Sequence, residues 1–276
     1  MFFIKKRFKI KTIIVAILIV LIVIIFYDNK HLQITHYTYI SDKITSDLEG
    51  LRIVQISDLH NTAFGKDNKR LIQKITELKP DIIVITGDII DSNHTKLDRA
   101  IDFGKKVADI CPVYYVTGNH EYWISDYDRK ELIEGLTKAG VKVINNEQVS
   151  ISIGKTSFSL IGLDDRNLND ATLFNIVDDN KETFSILLAH EPQYLAEYAL
   201  ANVDLVLSGH AHGGQFRIPF VGGVVAPDQG FFPQYTEGEH TKGNTKMIIS
   251  RGLGNSVIPV RILNRPEIVC VDLCKE

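Results

Sequence analysis

The chain has 276 residues, is 45% hydrophobic and 24% charged, and carries a formal net charge of −3. Such values belong to an ordinary globular protein and exclude a disordered, charge-dominated chain. There is no basic stripe of the kind that binds a nucleic acid polymer, and three cysteines (Cys111, Cys270, Cys274) are too few for a disulfide framework.

Charge is unevenly placed. Lys5, Lys6, Arg7, Lys9 and Lys11 all precede the first acidic residue, Asp28, so the remainder is mildly acidic. Between them lies TIIVAILIVLIVIIFY (residues 12–27), without a single charge. It is near the lower length limit for crossing a bilayer, and the aliphatic stems of the flanking lysines extend it. The run has no polar face, which argues against a buried helix of a soluble domain. A cleaved signal would have a shorter apolar run and small residues at its end, whereas YDNKHLQ follows. The expectation is an uncleaved, single-pass anchor in the cytoplasmic membrane. Residues 1–11 form a basic tail inside, 12–27 the span, 28–50 a polar connector with one β-like patch (ITHYTYI), and 51–276 a domain outside.

From Leu51 the pattern alternates. LRIVQIS (51–57) reads as a strand. Residues 67–79 carry Leu71, Ile72, Ile75 and Leu78 at helical spacing, and Pro80 stops the run. IIVIT (82–86) is an unbroken β-rich run suited to a strand buried on both faces. A helix over 96–108, the strand VYYVT (113–117) and a helix over 128–139 ending at Gly140 follow. This β-α-β-α-β order implies parallel strands. VKVIN, VSISI and SFSLIGL (141–163) read as strands joined in hairpins. A short helix (about 170–177), the strand SILLAH (185–190), a helix from near Pro192 and VDLVLSGH come next. Strands at 245–250 and 266–273 close the chain. Cys270 and Cys274 fall on one face of the last strand; packing is the favoured role, and a bridge between them stays open.

Buried strands repeatedly end in the same chemistry: S-Asp58-L-His60, T-G-Asp88, T-G-Asn119-His120, A-His190 and S-G-His210-A-His212. Ligands of α/β sheets gather at the carboxyl ends of the strands. Each block alone is a common turn, but the ordered set of five is not a chance pattern. Carboxylate and imidazole together suit Zn, Mn or Fe, one aspartate can bridge two metals, and a metal pair can clamp a phosphoryl group. His120, beside a ligand, is placed to protonate a leaving oxygen.

These blocks (DLH at 58–60, GD at 87–88, GNH at 118–120, His190, GHAH at 209–212) resemble the calcineurin-like metallophosphoesterases over about residues 51–273. Within them the chain is similar to a bacterial membrane-associated or exported subgroup akin to UDP-2,3-diacylglucosamine pyrophosphohydrolases. The resemblance implies an α/β fold, a four-layer α/β/β/α sandwich of two mixed sheets flanked by helices. It implies two divalent metal ions (Mn, Fe or Zn), with Asp58, His60 and His212 on the first, Asn119, His190 and His210 on the second, and Asp88 bridging. It implies hydrolysis of a phosphodiester, pyrophosphate or phosphomonoester by in-line attack of a metal-bridging hydroxide, with His120 as the catalytic histidine. The partner is then a phosphate-ester substrate: a lipid-linked nucleotide or sugar diphosphate fits the anchor, a cell-envelope phosphodiester fits the outside location, and the chemistry also allows a small soluble phosphomonoester or nucleotide. A catalytically silent scaffold is the alternative of a different class, and it would be expected to have lost a ligand.

Other residues stand open between two roles. Asp91 either fixes a histidine tautomer or caps the next helix. Trp123 either stacks on substrate or packs at the rim. Arg217, Arg251 and Arg261 either meet phosphate or serve structure. The aromatics of loop 220–244 either touch lipid headgroups or pack back on the domain.

Overall fold

The computed structural model describes residues 2–167, 170–177, 182–255 and 259–276. The side chains of the basic tail (1–10) and residues 256–258 of RGLGNSVIPVR lie outside the described residues. The apolar run becomes one helix, α1 (Phe2–Lys30). Its Lys11–Lys30 portion has a mean hydropathy of 2.6 and is almost wholly uncovered by the domain. A membrane anchor and a signal sequence both have this composition. α1 hands over to β1 (Gln33–Ser41), so the polar connector supplies a full strand rather than a bare linker.

The first sheet then takes β2 (Arg52–Ile56), β3 (Ile82–Thr86), β4 (Val113–Val116) and β5 (Val141–Val143), all mutually parallel, as the alternating pattern requires. Helices α2 (Lys69–Leu78), α3 (Leu97–Ala108), a short α4 (Asn119–Trp123) and α5 (Asp126–Lys138) fall between them. The segment VKVIN departs from the hairpin expectation. It pairs with β4 in this sheet, and the chain then crosses to a second sheet. There β6 (Glu147–Ile153) and β7 (Thr156–Leu163) do form a hairpin, turning at Gly154 with φ of 58°. Next come α6 (Asp170–Ile176), β8 (Ser185–Ala189), a 3-10 turn at Pro192–Tyr194, α7 (Leu195–Leu200) and β9 (Leu205–Ser208).

Two small antiparallel pairs follow, β10 (Arg217–Ile218) with β11 (Gly222–Gly223) and β12 (Val225–Ala226) with β13 (Gly230–Phe231). β14 (Gly238–Lys242) and β15 (Thr245–Ile249) complete the second sheet, and β16 (Glu267–Lys275) returns to the first. The orders are β1-β16-β2-β3-β4-β5 and β14-β15-β9-β8-β7-β6, each sheet mixed. Cys270 is buried on β16 and all three cysteines are free.

Apolar packing explains the layering. Val84, Val116 and Val269 of the first sheet share one buried cluster with Phe158, Ile186 and Leu207 of the second. The outer face of the first sheet is covered by Leu71, Phe103 and Leu136 of α2, α3 and α5. Leu173 and Leu195 of α6 and α7 cover the second. Unbroken runs such as IIVIT are buried at every position because both faces are covered.

Phe158 is fully buried between the sheets beside Phe184. Phe158→Ala is expected to destabilise the protein by about 3–5 kcal/mol. A urea unfolding curve followed by the fluorescence of Trp123 measures this.

Candidate metal centre

Three strands of the first sheet and two of the second end at one seam, and each carries its polar block there. The turn off the strand is sharp. Asp58, His60, Asp88, His210 and His212 all adopt left-handed φ, between 46° and 64°. Non-glycine residues in that region cost of order 1–3 kcal/mol each and cluster at functional sites. All seven proposed ligands are buried, His190 and Asp58 completely.

The donors converge in two groups. In the first, His60 Nε2 and His212 Nε2 stand 3.1 Å apart. Asp58 Oδ1 lies 3.5 Å from His212 Nε2 and Asp88 Oδ2 lies 3.6 Å from His60 Nε2. In the second, Asn119 Oδ1 lies 3.0 Å from His190 Nε2 and 3.1 Å from His210 Nδ1. Asp88 Oδ2 reaches this group too, 3.2 Å from His190 Nε2. One carboxylate thus serves both groups.

Tautomers are set from behind. His190 Nδ1–H donates to the Thr86 carbonyl at 2.7 Å, which turns the Nε2 lone pair into the site. His210 Nε2–H donates to Asp228 Oδ2 at 3.0 Å, which leaves Nδ1 as the inward atom. With both rings neutral, two imidazole lone pairs and an amide oxygen face one another. Such a set repels itself unless a cation joins it, and a mixed N/O donor set of this kind fits a divalent transition metal.

The electrostatics agree. Burial, with His120 and His190 adding to it, pushes His60 down to about 4 against the pull of Asp88 and Asp58, so it is neutral and its lone pair available. Burial and the neighbouring His60 and Arg261 hold His212 well below its ordinary value. His190 goes the other way. Burial lowers it, but the charge and hydrogen bond of Asp88 raise it well above. Burial likewise disfavours the Asp88 carboxylate, yet His190 and His60 hold it far below the usual range. The field at Asp88 thus favours positive charge beside it.

Backbone donors lock the loops across the seam. His210 N–H donates to Asp58 (3.0 Å to Oδ1), and His120 N–H donates to Asp88 Oδ1 at 2.9 Å. Glu121 accepts from the N–H groups of Gly118, Asp88 and Ile90, at 2.7, 2.9 and 3.3 Å, and so ties the β3 and β4 loops together. Burial and Asp88 push it up to about 8 despite those donors.

His120 packs edge-on to His60, with ring centroids 4.4 Å apart. Its Nδ1 accepts from Ser92 N–H at 3.1 Å, so the neutral ring carries its proton on Nε2. Ser92 takes the tautomer-setting role open to Asp91. Asp91 Oδ1 stays 3.9 Å from His120 Nδ1 and accepts instead from Asn93 N–H within its own loop. Trp123 is exposed at the rim, its ring 4.7 Å from that of His120.

The arginines resolve toward structure. Arg261 is fully buried, donates to the Arg251 carbonyl (2.8 Å) and Asn255, and sets Nη2 3.3 Å from His212 Nδ1. Burial lowers its guanidinium to about 10. Arg251 pairs with Glu267 at 2.8 Å and Arg217 with Glu237. Sequence patterns missed Ser92, Asp228 and the bridging role of Glu121. Only the chain's path brings these to the site, although Glu121, next to His120, was the one within sight.

Glycine at two positions is a matter of space. A Cβ on Gly209 would stand 1.9 Å from Ser57 Oγ and 2.4 Å from Asp58 Oδ2. One on Gly118 would stand 2.4 Å from Asp88 Oδ1. Gly209→Ala is therefore expected to displace Asp58 and cut divalent-metal retention at least tenfold while the far-UV circular dichroism stays unchanged, an effect of about 1.4 kcal/mol or more at the site. Metal content per chain after gel filtration measures it.

Comparison with known proteins points the same way. Over 257 residues the chain is 35% identical to the uncharacterized metallophosphoesterase YkuE of Bacillus subtilis, covering 90% of this chain and 87% of that protein. It is 30% identical over 249 residues to a transmembrane protein with metallophosphoesterase domain from Danio rerio, covering 84% of this chain and 55% of that protein. It is 27% identical over 230 residues to phosphodiesterase YaeI of Escherichia coli, covering 80% and 82%. In fold it resembles the NAD nucleotidase of Haemophilus influenzae, with a TM-score of 0.50 at 15% identity over 73% of this chain and 45% of that one. Residues 51–214, more than half of the chain, match the model of the calcineurin-like phosphoesterases, and the protein belongs to that family.

Proposed function

We propose that this metallophosphoesterase works as a dinuclear enzyme on a phosphate ester or anhydride at a membrane surface. The observation that carries the reading is the shared oxygen, Asp88 Oδ2, lying 3.6 Å from His60 Nε2 in one donor group and 3.2 Å from His190 Nε2 in the other. Asp58, His60 and His212 would hold one cation; Asn119, His190 and His210 would hold the second; Asp88 would bridge. When bound, a pair of divalent cations would neutralise phosphate charge and make water a better nucleophile. The mixed donor set suits Mn, Fe or Zn.

This chain's own residues supply the rest. Thr86 and Asp228 keep His190 and His210 in the ligating tautomer. Ser92 keeps the His120 proton on Nε2, from where it hydrogen-bonds the departing oxygen as negative charge develops there. Burial of the ligands themselves strengthens the contacts among them. The full complement of donors supports an enzyme over a silent scaffold. The uncovered helix α1 supports an anchor, with residues 1–11 inside and the catalytic domain outside. The same helix favours a second reading of the substrate, a lipid-linked nucleotide of the UDP-2,3-diacylglucosamine type, over a soluble phosphomonoester.

His210→Ala and Asp88→Asn are expected to lose metal and phosphodiesterase turnover together, whereas His120→Gln keeps its metal and loses about 10²–10⁴-fold in turnover. Metal analysis paired with hydrolysis of bis-p-nitrophenyl phosphate checks both; undiminished turnover in Asp88→Asn overturns the dinuclear reading. Chelation should abolish activity, and Mn²⁺, Zn²⁺ or Fe²⁺ should restore it to different extents. Protease added to intact cells should remove the domain if it lies outside.

A further inference from the structure

The topology fixes which edge of the domain α1 leaves from. β1 starts at Gln33, paired with Glu267 at the start of β16. β16 runs antiparallel to β2, so both starts lie at the end where β2 finishes and Asp58 begins. The helix therefore joins the domain at its catalytic edge. The junction is built, not loose. Asp28 accepts from Leu263 N–H, Asn29 Nδ2 donates to the Arg261 carbonyl at 3.0 Å, and Asn29 Oδ1 accepts from Arg261 N–H at 3.1 Å. Arg261 in turn reaches His212.

Two hairpins stand on the same edge. They spring directly from the metal loop: Arg217 donates to the Gly213 carbonyl at 2.8 Å and Val224 N–H to the Gly214 carbonyl at 3.1 Å. Arg217 N–H also bonds the Ile262 carbonyl, next to Leu263. Their side chains are strongly exposed for apolar groups: Phe220 fully, Phe231 79%, Phe232 64%, Val221 60%. Ile218 and Leu263 complete the surface, lining one shallow groove with Phe220 and Val221. An apolar group of this kind rimmed by polar residues marks an interaction surface. The groove is contiguous, through Leu263 and Asp28, with a helix whose apolar side chains, among them Ile13, Ile17, Val20 and Val23, are also uncovered. Lys30, Arg70 and Arg265 surround the helix end, with the Arg70 guanidinium on the Lys30 carbonyl and Arg265 6.0 Å from the Tyr27 ring. Cations beside an apolar surface suit anionic lipid headgroups.

We infer that the paired hairpins of residues 216–232, with Leu263, form a second contact with the lipid bilayer, which seats the metal-binding edge at the headgroup layer. The inference rests on the reading of α1 as an anchor and adds a surface that the anchor does not require. It makes the phosphate of a lipid headgroup reachable without extraction from the membrane. It also accounts for Phe220, Phe231 and Phe232, which the two hairpins hold outward, whereas Tyr235 of the same loop packs back on the domain.

The full-length protein in vesicles containing brominated phospholipids tests this. Single variants F220W, I17W and L200W are compared with the parent chain, whose Trp123 is common to all. Leu200 ends α7 at the opposite edge, where β9 starts, and is 68% exposed. Quenching of F220W at least roughly twofold above that of L200W, alongside quenching of I17W, supports the inference. Quenching of I17W with F220W no stronger than L200W overturns it and leaves the anchor standing. No excess quenching in either removes both. A detergent-solubilised dimer that F220D splits, with no excess quenching of F220W, overturns it as well, because the surface is then a contact between two copies.

Discussion

The structure turns on Asp88, a fully desolvated carboxylate between the rings of His60 and His190. A buried carboxylate is stable only where positive charge or donors surround it. Asp88 has the His120 N–H on one oxygen and two imidazoles about the other. That single demand draws four elements together from both sheets: the ends of β2, β3 and β4 from one, the end of β8 from the other. Everything else at the seam follows from bringing those ends close enough.

Closeness has a steric consequence. Side chains on Gly87, Gly118 or Gly209 would overlap the neighbouring ligand groups. The glycines that precede the ligands are thus spacers for the opposite strand's residues more than hinges for phosphate. The left-handed φ of Asp58, Asp88 and His210 has the same origin, since an extended continuation of the strand would carry the side chain away from the seam. Glu121 then offsets part of the strain by capping two loops at once with one carboxylate.

The same edge faces α1. Because β1 lies parallel to β16 and antiparallel to β2, a helix entering at Gln33 arrives where the metal-binding loops leave. Asn29, Arg261 and His212 form a connected row from the helix end to the centre. The end of α1 and the metal-binding edge are therefore neighbours in this fold, not separate modules joined by a free linker.

The strands of both sheets up to β9, with β15 and β16, most helices and the polar blocks that converge at the seam could be read from the chain, because each is a local signal: an apolar run, a 3.6-residue spacing, a polar block at a strand end. The family could be read for the same reason. The sheet that VKVIN joins could not, because a three-residue strand fits either sheet and pairing is decided by what lies across it. The β-like patch ITHYTYI in the polar connector could be seen, but not its place as the edge strand β1 of the first sheet, paired with the distant β16. Ser92 and Asp228 carry no local mark, since a serine in a loop becomes a tautomer switch only when an imidazole from 28 positions away is laid against its N–H. Sequence determined which groups are present and in what order along the strands. Tertiary structure alone decided which atom of each points inward, because that depends on hydrogen bonds between segments distant in the chain.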